Sequence, residues 1–230
     1  LICHAEDEHL AAGGAMNYGD VSIRLGIPGI PNEAEDIIVG RDIILAEAVQ
    51  SRLHVAHAST AGTLRMVREA KARGVKVTVE VAPHHFSLTD EEVEKQNYST
   101  DTKVNPPLRT QRDIDVILEA IKDGTVDIIA TDHAPHTEMD KHVEYTAAPF
   151  GMSGIETAVG SVVTYLLDKG IIDLKRMTEL LSINPRKIFK IDGGLAVGKN
   201  ADISIVDLKK EWTVDSGKFY SKGKNTPING

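Results

Sequence analysis

Four apolar bursts, at 1–3, 53–56, 75–81 and 126–131, are separated by stretches whose apolar residues recur at helical spacing. This alternation constrains the fold more than any other feature. The burst at 126–131 (VDIIAT) is nearly continuous in apolar and β-branched residues, as in a strand buried on both faces of a parallel sheet. Between the bursts, 34–49 places Ile37, Ile38, Ile44, Leu45 and Ala48 on one helical face. The segment 63–73 does the same with Leu64, Val67 and Ala70 and closes at Gly74, and 112–122 does so with Ile114, Ile117, Leu118 and Ile121. Further helices are expected at 154–169 and 174–182, with a turn at 185–190. Strands alternating with helices make βα units and a parallel α/β sheet. Four such units are half of a (β/α)8 TIM-type barrel.

The pattern changes after Ile191. GGLAVGKNADISIVDL combines a Gly-rich turn with alternating Ile203, Ile205 and Val206. Residues 1–191 are therefore read as the C-terminal half of a barrel, and 192–230 as part of a small β appendage. The chain opens within a strand and lacks an initiator methionine, so it reads as a piece of a longer protein.

Composition narrows the function classes. A net charge of −8 with interspersed acids and bases argues against nucleic acid or an anionic membrane as partner. One cysteine, Cys3, excludes an internal disulfide framework and fits a reducing cytoplasm. No apolar run approaches the roughly 18 residues of a membrane span.

The titratable residues recur at one relative position. His4 follows the first burst, His57 the second, His84 and His85 the third, and Asp132, His133 and His136 the fourth. In a parallel barrel all strand C-termini open onto one face, where side chains distant in sequence converge. Any one of these histidines alone reads as a hydrogen-bonded structural residue. Imidazoles and a carboxylate recurring on separate strands read instead as a zinc site, because Zn²⁺ favours His nitrogen and Asp oxygen. His54 alternates with His57 and is expected to be structural, as is His133; His9 and His142 are expected in solvent. In an extended chain only one of His84 and His85 could face a pocket, and packing or hydrogen bonding is the favoured role. KVNPPLR (103–109) presents Asn105 and Arg109; a plain turn and a pocket amide fit the spacing equally. The polar stretch 137–151 is longer than most βα connections and reads as a lid or a surface excursion.

HVAHAST (54–60), VAPHHFSLT (81–89), KVNPPLR, IATDHAPH (129–136), APFG (148–151) and NTPING (225–230) together resemble the long-chain bacterial dihydroorotases of the metal-dependent amidohydrolase superfamily. The resemblance runs through essentially the whole chain, and NPPLR and ATDHAPH in this order are its specific parts. It implies a cytoplasmic enzyme of pyrimidine biosynthesis with two Zn²⁺ per site, interconverting L-dihydroorotate and N-carbamoyl-L-aspartate. It also implies a homodimer and association with aspartate transcarbamoylase.

Carried over residue by residue, His4 and His57 resemble the ligands of the second zinc, and Asp132 a metal-contacting general base. Asn105 and His136 resemble side chains that bind the ring and its carboxylate, and Phe150-Gly151 a backbone that meets the substrate amide. The family's H-x-H-x-R motif and its bridging carboxylated lysine or aspartate have no counterpart in these residues. On that reading the 230 residues alone are inactive. Two other readings stand beside it: a hydantoinase- or allantoinase-like cyclic amidase, and an inactive homologue scaffolding aspartate transcarbamoylase.

Overall fold

The computed structural model describes all 230 residues. Its centre is a four-stranded parallel sheet in the order β1 (Ile2–Cys3), β4 (Leu53–Val55), β5 (Val77–Val81), β6 (Ile128–Ile129). Between β1 and β4 lies a small parallel pair, β2 (Met16–Asn17) and β3 (Gly29–Ile30). Every neighbouring pair in the central sheet is parallel, with Ile2 opposite His54, His54 opposite Thr78, and Glu80 opposite Ile128. Successive strands are joined through helices, so their C-termini emerge on one side.

The helices form where capping chemistry brackets an apolar stripe. Helix Ala61–Ala72 starts at Thr60, whose side chain accepts from the Thr63 amide. It ends in a Schellman turn: Gly74 at φ +83 donates to Lys71 O and Val75 donates to Ala70 O. Its buried face, Thr63, Leu64, Val67 and Ala70, packs on the sheet, at roughly 1.5–3 kcal/mol for each large aliphatic side chain removed from water. Helix Gln111–Asp123 opens with a Thr110–Asp113 capping box and stops at Gly124, φ +89. Helix Asn32–Ala48 covers β1 and β4 with Ile38, Val39, Ile43 and Ala46. The main core joins these faces to Val55, Val79, Val81 and Ile129, with Val162, Leu166 and Leu180 closing it from the later helices. No helix is long and apolar enough to cross a membrane.

Three details depart from the sequence reading. In helix Asn32–Ala48 the expected face residues Ile37, Ile44 and Leu45 are exposed, and Val39, Ile43 and Ala46 are buried with Ile38 instead. The helix expected at 154–169 begins at Ala158 and turns to π-helical winding over Val163–Leu167; that at 174–182 does so over Glu179–Ile183. The β appendage expected from residue 192 contains no strand in this chain. The only regular element there is a 3₁₀ turn at Ser216–Lys218, and Leu195, Val197, Ile203 and Ile205 face solvent. Alternating apolar residues become a strand only when a neighbouring strand takes up their backbone N–H and C=O groups, and no segment of the chain lies beside them. Residues 219–230 instead return to the barrel rim, burying Phe219, Asn225 and Thr226.

Candidate active site

The rim at the strand C-termini gathers most of the expected residues. His4 follows β1 and His57 lies two residues beyond β4; His4 Nδ1 and His57 Nε2 face each other at 3.0 Å. The two rings sit edge to face, with centroids 4.8 Å apart. Neither nitrogen has another protein partner at that distance. Desolvation, then the neighbouring His57, lowers the His4 pKa, which favours the neutral imidazole that a metal requires.

Asp132 follows β6. Desolvation raises its pKa and Glu80 adds to this, while His57 and His4 pull the other way. His57 and Asp132 hold positive φ, +33 and +47, in the region non-glycine residues seldom occupy. Such strain persists where surrounding structure imposes it, commonly at functional sites. His4 and His57 thus meet, and both act electrostatically on Asp132. No trio of His, Cys, Asp or Glu side chains closes into a finished metal cage. Facing imidazoles with a carboxylate on the same rim still fit a divalent cation of zinc's preferences.

The His84-His85 pair is not extended. Pro83–Ser87 forms a helical turn, so both rings go inward and both are buried. His85 Nε2 pairs with Pro106 O at 2.8 Å. His84 Nε2 lies 3.7 Å from Asp132 Oδ2 with no other partner, and burial pushes its pKa down to about 3. His54 bonds Thr78 Oγ1 at 2.8 Å and Glu80 Oε2 at 3.0 Å, a structural placement. His133 Nδ1 accepts from the Gly154 amide at 3.2 Å, and His9 and His142 are exposed.

The NPPLR loop divides its two polar residues. Asn105 Nδ2 donates to Glu6 Oε2 at 2.8 Å, while its Oδ1 is buried without a partner. Arg109 turns away from the pocket and is buried. It donates from Nε to Ser59 Oγ (3.1 Å) and from one terminal nitrogen to Asn17 Oδ1 (3.0 Å) and Ile30 O (2.8 Å). Ser59 and Thr60 in turn donate to the buried Glu35 carboxylate. The loops that follow β1, β4 and β5 are thereby tied to one guanidinium.

His136 reaches Phe150 O with Nε2 at 2.8 Å, and its amide donates to Asn225 Oδ1 at 2.8 Å. Asn225 Nδ2 donates to Gly151 O at 2.9 Å, so NTPING braces this edge of the rim. Gly151 has φ +132, and a Cβ there would stand 2.7 Å from Ala134 O; no larger residue fits.

Sequence reasoning passed over Glu6, Glu80, Lys103 and Lys141. Glu80 did carry a signal, an acid in the middle of the strand VTVEV. The others showed none, because their partners are set by loop conformation.

Residues 35–230 match the Amidohydrolase family, and residues 1–63 match the family described as Dihydro-orotase-like. The chain belongs to the amidohydrolase family. Among amidohydrolase-family relatives, the dihydroorotase of Caldanaerobacter subterraneus subsp. tengcongensis is 51% identical over the whole chain, which spans 53% of that protein. The dihydroorotase of Pelotomaculum thermopropionicum is 54% identical, with all of this chain matching 54% of it. The chain spans about half the length of the curated relatives it matches. Among solved structures, the L-hydantoinase of Arthrobacter aurescens superposes with a TM-score of 0.87 at 28% identity, over all of this chain and 52% of that one. Dihydropyrimidinase from Brevibacillus agri gives 0.85 at 26%, with the same coverage.

Proposed function

We propose that this chain is the C-terminal part of a zinc-dependent dihydroorotase, which interconverts L-dihydroorotate and N-carbamoyl-L-aspartate. The observation that carries the reading is the rim itself: the imidazoles of His4 and His57 are paired there, and both act electrostatically on the partly buried Asp132. The identity of 51–54% to dihydroorotases, against 26–28% to the hydantoinase-type structures, favours this cyclic amide over hydantoin.

His4, His57 and Asp132 are the residues that would hold the metal. When bound, zinc supplies a Lewis acid for the amide carbonyl and brings the pKa of a water to about 7.

The remaining work falls to the chain's own groups. Asp132, its pKa raised by burial, takes the proton of the attacking water. It returns that proton to the ring nitrogen as the C–N bond breaks. In the closing direction the protonated acid releases water. His84, its Nε2 unpartnered and 3.7 Å from Asp132 Oδ2, lies beside that carboxylate without bonding it. Asn105, with a free buried Oδ1, and His136, anchored to Phe150 O, bind the ring and its carboxylate. The Phe150-Gly151 backbone is the wall against the substrate amide.

Asp132→Asn in the full-length protein is expected to lower kcat for dihydroorotate by roughly three powers of ten or more, with zinc content largely retained. Turnover near the unsubstituted level would sink the assignment of Asp132. Hydantoin turned over faster than dihydroorotate by the unsubstituted enzyme would replace the substrate.

A further inference from the structure

Two lysines lie almost entirely inside the structure at the edge of the rim. Lys103 is 3% exposed and Lys141 7%. A buried ammonium normally sits against a carboxylate, yet neither has one at ion-pair distance here, Asp101 acting on Lys141 only from farther off. Lys141 Nζ donates to Pro149 O at 2.8 Å and to Thr100 O at 3.0 Å, with Lys103 O at 3.5 Å. Lys103 Nζ donates to Thr146 O at 2.9 Å and stands over the Phe150 ring, 4.6 Å from its centroid.

Apart from the bond to Pro149 O, which braces the second stretch internally, these contacts cross between the same two stretches, 100–103 and 141–151. Three further bonds do the same. Thr100 Oγ1 donates to Lys141 O at 2.6 Å, Gly151 N donates to Lys103 O at 2.9 Å, and the Tyr145 and Thr102 hydroxyls meet at 3.3 Å. The first stretch runs directly into Asn105. The second ends in Phe150-Gly151.

We infer that Lys103 and Lys141 are positioning residues that clamp the 141–151 segment to the strand of chain leading into Asn105, fixing the distance between the two substrate-contacting edges. The inference rests on the proposed function for the roles of Asn105 and Phe150-Gly151. It also settles what kind of loop 137–151 is. A lid that opens each cycle would leave these two ammonium groups without their carbonyl partners. Charge-assisted donors to main-chain oxygens are strong in the interior and costly to leave unmade. On this inference residues 141–151 are a fixed wall. Burial lowers the pKa of both amines, that of Lys141 to about 8, which agrees with their placement.

The test uses Lys103→Met and Lys141→Met in the full-length, zinc-loaded protein. Hydrogen exchange is read at the Gly151 and 142–149 amides, and KM and kcat are measured with dihydroorotate. Exchange in that segment is expected to quicken by on the order of tenfold relative to helix Ala61–Ala72. KM is expected to rise by a similar factor while kcat and zinc content change by less than about twofold. A lysine that only supported folding would lower the active fraction, and so kcat, with KM unchanged; that result overturns the clamp. So does unaltered exchange.

The exchange arm needs no substrate. A protein that proves inactive on dihydroorotate therefore fails the proposed function while leaving the clamp to be judged by its amides. Should a Met variant not fold, Thr100→Val removes one cross-bond without uncovering a cation. It is expected to shift exchange and KM in the same directions, more weakly; no shift in either overturns the inference.

Discussion

The rim loops and the stretch 192–215 are both irregular backbone, but they are held in opposite ways. At the rim, nearly every turn is fixed by a buried polar side chain. Arg109 and Glu35 tie the 57–60 loop to the first loop and to NPPLR, Asn225 ties 136 to 151, and the lysines tie 100–103 to 141–151. In 192–215 the side chains that should organise the backbone are apolar, and they lie in water. Irregular chain is ordered when its N–H and C=O groups are matched one by one, which buried polar side chains can do and isolated apolar ones cannot.

The largest effect expected from breaking this contrast is at Arg109. Arg109→Met in the full-length protein keeps volume but leaves Asn17 Oδ1 and Ile30 O without donors and the Glu35 charge without its nearby cation. Removing one member of a buried charged network costs about 3–5 kcal/mol, to be read from urea denaturation. A loss under about 1 kcal/mol would mean the loops are ordered by something other than this network.

Next in size is the dependence on pH. His84 and His85 are buried neutral, with pKa values pushed down by burial, that of His84 to about 3. Unfolding returns them to about 6.5, so below that pH the unfolded chain binds the extra protons. The stability from each is complete above about pH 6.5 and drains away as pH falls, for His84 down toward 3, with a slope approaching about 1.4 kcal/mol per pH unit. His85→Gln is expected to flatten the urea-midpoint profile between pH 6.5 and 5. An unchanged slope would show that the ring is protonated in the folded state.

How much of this was legible in the sequence follows from the same contrast. The strands, the helix Ala61–Ala72 with its glycine stop, and the strand-end positions of His4, His57 and Asp132 follow from period and spacing, which are local. The contact of His4 with His57 needs only parallel register. The buried direction of Arg109, both rings of His84-His85, and the lysine clamp were hidden, because each depends on a loop whose path is set by partners about 20 to 90 residues away. The π-helical winding of Val163–Leu167 and Glu179–Ile183 has no signal that we can name. In 192–215 the alternation of Ile203 and Ile205 reads as strand-like, yet no strand forms in this chain, because a strand is a property of two segments.

That last point gives the smallest expected effect and the sharpest test of the comparison. Ile205 is 96% exposed, so Ile205→Ser in the 230-residue chain should change stability by less than about 0.5 kcal/mol. Val79→Ala, in the core of the same chain, should cost several times more, because a buried methyl pair is lost and a cavity remains. If Ile205→Ser instead costs more than about 1.5 kcal/mol by urea denaturation, the side chain is packed and the contrast between rim and tail fails. The same substitution in a longer protein then measures pairing directly. A cost that appears only there is the free energy of burying this face against a strand that the 230 residues do not contain.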